Sequence, residues 1–156
     1  VSDARWIEVN ADMASAAKHF ARAVEIFAAG DLEGEDLASY KNRMALLQAM
    51  QSGYTSMEAG LERILAILGE EKPVDSGAYH ADLVRRVSRP IPDVRPAILP
   101  PDLARAIDET RRFRHVARKS YDDFSPTRAD PAVAAAGVVR DALEPAIAAF
   151  RAAMDA

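Results

Sequence analysis

An all-α fold of four to five helices is predicted by three observations on the 156-residue chain. Alanine is abundant while aromatic residues make up 6%. Apolar residues recur at steps of three and four. No segment sustains the period-two alternation of Val, Ile, Thr and aromatics that marks a strand. Trp6, Met13, Phe20, Val24 and Phe27 follow helical spacing and stop at Gly30, a residue suited to a C-cap, so a first helix is expected over about residues 3 to 29. After the acidic stretch 31–36, Leu37, Tyr40, Met44, Leu47, Met50, Tyr54, Met57, Leu61, Ile64 and Leu68 step by threes and fours without a slip. They predict one helix over about 36 to 70 with a continuous apolar seam. At 1.5 Å per residue it runs roughly 50 Å, long enough to need several partners or a second subunit.

Pro73, Pro90, Pro92, Pro96, Pro100 and Pro101 then break any long helix and leave room for a short one around His80 to Val87. Arg85, Arg86, Arg89 and Arg95 crowd into the same segment, which reads as a structured connector with His80 as part of its framework. Pro101 suits the first helical position, and Leu103, Ile107, Thr110, Arg114, Ala117 and Tyr121 follow at helical spacing, giving a fourth helix over about 101 to 121. The stretch from Phe124 to Pro131 reads as a turn. Val133, Val139, Leu143, Ile147, Phe150 and Met154 form a last amphipathic helix with a candidate kink at Pro145. With no internal repeat or low-complexity segment, residues 1–156 read as one domain.

The 20 Lys and Arg against 24 Asp and Glu leave a net charge of −4. That balance argues against indiscriminate nucleic-acid binding and leaves room for one locally basic site. The absence of Cys excludes a disulfide framework, a thiol nucleophile and thiolate zinc sites, and fits a reducing compartment. No apolar run approaches the roughly 18 residues of a membrane span, and no basic segment followed by an apolar stretch opens the chain, so no membrane partner is expected and the expected location is cytoplasmic. Neither Gly-x-Gly-x-x-Gly nor Gly-Lys-Ser/Thr occurs. The residues three before His19, His80 and His115 are Ala16, Gly77 and Arg112, so the Glu-x-x-His pairs by which helical bundles hold two metals are missing. The expectation is no metal and no cofactor.

The chemistry concentrates in RRFRHVARKSYDDF, from Arg111 to Phe124, where Arg111, Arg112, Arg114, His115, Arg118 and Lys119 gather with no acid among them. On a helix Arg114, Arg118 and Tyr121 share one face, and His115, Lys119 and Asp122 share its neighbour. Two readings fit this run. One is a solvated basic face offset by Asp122, Asp123 and the helix C-terminal dipole. The other is a phosphate site, because Arg grips a phosphodiester bidentately while His and Tyr move or orient protons beside it. Those groups are what metal-free cleavage of RNA by its own 2′-hydroxyl requires.

The order Tyr54-x-x-x-Glu58, His80-x-x-Leu83, Arg95-Pro96-Ala97-Ile98 and Phe113-Arg114-His115-x-x-Arg118-x-x-Tyr121 resembles the HepT-like branch of the HEPN superfamily. The matching pieces span about residues 44 to 124. The resemblance implies a HEPN-like helical bundle that forms a homodimer, with its arginine-bearing helices facing each other at an RNA site. It also implies a ribonuclease toxin neutralised by a nucleotidyltransferase antitoxin that modifies a toxin Tyr with AMP. The family motif is Arg, four to six residues, His, then often x-Tyr. With Arg114 as its Arg and Tyr121 as its Tyr, Lys119 takes the place of the His, and no Arg precedes any of the three His at the required spacing. The implied roles are Arg111, Arg114 and Arg118 on phosphate, His115 or Lys119 in proton transfer, and Tyr121 orienting substrate or accepting AMP. Glu58, one turn from Tyr54, would neutralise an arginine of the basic helix. An ammonium with a reference pKa of about 10.4 is a poor base at neutral pH. A second expectation therefore stands beside the toxin, a catalytically silent HEPN dimer whose basic groove binds RNA or a nucleotidyltransferase.

Overall fold

The computed structural model describes residues 3–119 and 125–156, without the side chains of Val116, Arg118 and Lys119. Its described residues form an all-α bundle of five helices, α1 (Ala4–Ala29), α2 (Leu37–Ile67), α3 (Tyr79–Val87), α4 (Pro101–Lys119) and α5 (Pro126–Asp155). Each long helix starts and stops on local chemistry. The Asp3 side chain caps α1 by accepting from the Arg5 amide at 3.0 Å, and Asp36 caps α2 by accepting from the Ser39 amide at 3.0 Å. At the end of α2, Gly69 takes φ 69°. This lets the Glu70 amide reach the Leu65 carbonyl at 2.9 Å and the Gly69 amide reach Ala66 at 3.1 Å, closing two otherwise orphaned carbonyls.

Helices α1 and α2 run antiparallel, as the pairs Asp12–Arg63 (2.8 Å) and Ser15–Ser56 (3.0 Å) fix. Small residues set how near they come. A Cβ on Gly53 would press on the Phe20 ring at 2.9 Å, and one on Gly60 would meet the Met13 methyl at 2.6 Å, so a side chain at either position would make its neighbour on α1 shift. The same register corrects the apolar seam expected from Leu37 onward. Leu37 and Tyr40 are 66% and 53% exposed, because the first turns of α2 extend past the end of α1 and lie opposite the loop 30–36. That loop sets Leu32 in the core and is otherwise held by polar contacts, Arg43 donating to the Leu32 and Gly34 carbonyls and Asn42 to the Asp31 carbonyl. Ser39 is buried in the first turn of α2, and its apolar burial sets in at Leu46.

Helix α5 packs on α1 and α4 and begins at Pro126, not at Val133. The segment read as a turn is helical because Pro126 costs no hydrogen bond at the first position, while Ala129, Ala132, Val133 and Ala136 are all buried on its inner face. Their burial outweighs the single backbone bond that Pro131 removes. Pro145 also lies within the same unbroken helix. Val24 lies beside Gly137, and Arg151 stacks over Trp6 at 5.2 Å, so α5 is antiparallel to α1. The interior, including Met13, Phe20, Tyr54, Met57, Leu61, Leu83, Ile98, Ile107, Val139 and Leu143, is one hydrophobic cluster. No helix among the described residues is long and apolar enough to cross a membrane.

The Pro-rich connector is pinned from within. Arg95 is 1% exposed in its side chain and uses all five of its N–H groups: Nε and Nη2 grip Glu70 at 2.7 and 2.8 Å, and the rest donate to the carbonyls of Arg86, Arg89 and Pro96. The loop tightens around it through the Ile91–Arg95 bridge, with Asp93 at φ 64°. Ile98 and Leu99 amides then donate to the Val87 carbonyl at 2.8 and 3.1 Å, which anchors the end of α3 and hands the chain to α4.

Candidate functional site

On α4 the stripe Leu103, Ile107 and Thr110 is buried, and Arg114 is the next residue on that stripe. A cation is thereby carried to the edge of the core. Its guanidinium carbon lies 5.6 Å from the centroid of the Tyr54 ring, within cation–π range. Tyr54 itself is 1% exposed. Burial, reinforced by the Glu58 carboxylate, pushes its phenol well above the usual range, so the ring is a neutral platform. Among the described residues neither the Tyr54 hydroxyl nor Arg114 Nε has a hydrogen-bond partner, although both atoms are buried.

The other side of the platform is His80, at the start of α3. Its ring meets Tyr54 edge-on at 6.1 Å and Tyr79 at 5.7 Å. Its Nδ1 is 2.6 Å from Glu58 Oε2. An ionised carboxylate can only accept, so Nδ1 is the donor in this contact, and in the neutral imidazole Nε2 then carries the lone pair. Tyr79 is pushed up to about 12 by burial, with Glu62 adding to the shift, so it too stays a neutral phenol around His80.

His80, Gly77 and Ala81 on one side, and Arg111, Arg114 and His115 on the other, line a cavity of about 230 Å³. This is below the roughly 300–1,000 Å³ of pockets for drug-sized ligands, so it suits a phosphate group and its neighbouring atoms better than a whole organic cofactor. A larger groove of about 660 Å³ runs on between α3 and α4 and shares Ala81 and Arg111 with the cavity. Five arginines face it, Arg85, Arg89, Arg105, Arg111 and Arg112, against two acids, Asp108 and Glu109. Among the described residues no cluster of His, Asp and Glu could hold a metal ion.

A family model described as HepT-like protein matches residues 45–154. The chain belongs to the HepT-like family, within the HEPN superfamily. The match takes in α2 from residue 45 onward, the whole of α3 and α4 and nearly all of α5, so the family architecture extends beyond the motifs around the cavity. Comparison with curated proteins and with solved structures gave no match.

The HepT-like chain arranges its predicted site residues unevenly. Arg111, Arg114 and His115 share the cavity wall. Tyr121 lies outside the described residues, as do the side chains of Arg118 and Lys119. Among the described residues the Glu58 carboxylate pairs with His80 and with no arginine of the basic helix. Nor is the basic run uncompensated at its start. Arg111 pairs with Asp108 at 2.7 Å, and Arg112 with Asp108 and Glu109 at 3.1 and 3.6 Å, acids that stand one turn earlier on the same helix. The residue missed as a site residue is His80, read from sequence as connector framework. Its place in the ordered motifs was the available signal.

Proposed function

We propose that this HepT-like protein is a homologue of ribonuclease toxins that acts on RNA without a metal ion, as one half of a toxin–antitoxin pair. The observation that carries the proposal is the position of Arg114, held against Tyr54 and yet lining a cavity with Arg111 and His115. Guanidinium and imidazole groups converging on a space of phosphate size are suited to a phosphodiester. The arginine-lined groove next to it gives the flanking strand a path. In this reading Arg111, Arg114 and Arg118 bind phosphate, two chains pair with their α4 helices facing, and a nucleotidyltransferase antitoxin silences the protein by attaching AMP to Tyr121. The protein works in the cytoplasm.

Lys119, at the place where the family motif carries His, favours a second reading, a catalytically silent dimer that binds RNA or the nucleotidyltransferase. One experiment separates the two. Purified protein is incubated with single-stranded RNA in EDTA, and both binding and the chemistry of the new ends are followed. The toxin reading expects slow cleavage that leaves 2′,3′-cyclic phosphate ends and disappears in Arg114→Ala. RNA bound but left intact would support the silent module, and RNA neither bound nor cut would overturn the toxin reading and leave the silent dimer only as a partner of the nucleotidyltransferase.

A further inference from the structure

The molecule contains an imidazole that is held by a carboxylate and belongs to the lining of the arginine cavity, and it is not on the basic helix. We propose that His80, positioned by Glu58, is the general base of this site. The inference rests on the reading of the cavity as an RNA phosphate site and adds to it the group that moves the proton. Three features single out His80. The 2.6 Å contact from Nδ1 to Glu58 orients the ring and, in the neutral imidazole, leaves Nε2 as the proton acceptor. Edge-on contacts with Tyr54 and Tyr79 hold the ring from two sides. The same Tyr54 ring carries Arg114, so the base and the phosphate-binding cation stand on one platform. His115 shares the cavity but is exposed, and among the described residues nothing holds its ring in place.

The step balances without a metal or a further reactant. His80 Nε2 takes the proton of a ribose 2′-hydroxyl, and the 2′-oxygen forms a bond to phosphorus. The bond from phosphorus to the 5′-oxygen breaks, and that oxygen takes a proton from solvent water. His80 then returns its proton to the hydroxide formed. The products are a 2′,3′-cyclic phosphate and a 5′-hydroxyl, while Arg114 and Arg111 offset the charge that builds on the phosphoryl oxygens. Glu58 touches no reacting atom in this scheme and is a positioning residue.

The test uses the full-length protein with a fluorescently labelled single-stranded RNA in EDTA, reading affinity and cleavage separately. His80→Ala is expected to bind RNA as the wild type does and to cut it ~10²–10⁴-fold more slowly. Added imidazole should restore part of that rate, which a purely structural role for His80 would not allow. Where His80→Ala proves poorly folded, Glu58→Gln carries the test, with kcat expected at least ~10-fold below wild type and KM unchanged. Wild-type rates in His80→Ala, or a loss that imidazole does not repair in a folded protein, would overturn the proposal. Wild-type protein that binds RNA through Arg114 yet never cuts it would also overturn the base while leaving the binding reading intact. Absence of RNA binding altogether would instead remove the reading on which the base depends.

Discussion

Replacing Arg95 by Ala is expected to cost about 3–5 kcal/mol of stability, the range for breaking a buried ion pair from one side. The loss has two parts. Glu70 keeps a carboxylate that is 13% exposed and has lost its bidentate partner, and the carbonyls of Arg86 at the end of α3 and of Arg89 and Pro96 in the loop lose donors. Against the 5–15 kcal/mol typical of a whole domain this is a large fraction, and for a chain of this size it lowers the melting temperature by roughly 10 °C. Arg95→Lys should recover little, because an ammonium cannot reproduce the planar fork that meets both Glu70 oxygens. The effect has a pH signature. The Arg95 hydrogen bonds hold the Glu70 carboxyl below the usual range in the folded state. Its stabilisation is therefore complete above the ordinary glutamate pKa of about 4.3 and is lost as pH falls through the depressed folded value. Urea unfolding at pH 7 and at decreasing pH checks this: the gap between wild type and Arg95→Ala should narrow in acid. A gap below about 1 kcal/mol at pH 7 would show that the connector does not depend on this clamp.

Lys119→His is expected to raise RNA cleavage by ~10²-fold or more, the contribution of a well-placed general acid or base. The substitution restores Arg-x4-His-x-Tyr between Arg114 and Tyr121 and supplies an imidazole of reference pKa near 6.5 in place of an ammonium near 10.4. If His80 takes the 2′-hydroxyl proton, the slow part of the natural reaction is protonation of the departing 5′-oxygen, which an imidazolium performs far better than water. The gain should vanish when Arg114→Ala is added, and the ends should remain 2′,3′-cyclic phosphate. Equal rates for Lys119→His and wild type, with RNA binding intact, would place this position outside the chemistry.

Helix existence was legible from sequence wherever large apolar residues recur at steps of three and four, as along Met50, Tyr54, Met57, Leu61 and Ile64. It was least legible where the buried face is alanine. Ala129, Ala132 and Ala136 are core residues of α5, but alanine is also a common surface residue, so Pro126 and Pro131 dominated the reading of that segment. The exposure of Leu37 and Tyr40 depends on how far α2 overruns α1, which is a matter of helix length and packing register that periodicity does not contain. In the site, Arg114 was legible as a cation on a helix with an apolar stripe. The Glu58–His80 pair was not, because its members stand 22 positions apart on separate helices and no spacing rule links them. The pairing of Arg111 and Arg112 with Asp108 and Glu109 was available from helical spacing.

Salt-dependent binding tests most directly whether the cavity between α3 and α4 receives an RNA phosphate. Affinity for a short single-stranded RNA should fall steeply with ionic strength, as each neutralised phosphate releases counterions. Removing one phosphate contact with Arg114→Ala should weaken binding and reduce the slope of log affinity against log salt by about 1. Equal affinity and equal slope in wild type and Arg114→Ala would contradict the account, leaving Arg114 as a packing partner of Tyr54 and the cavity without an RNA role.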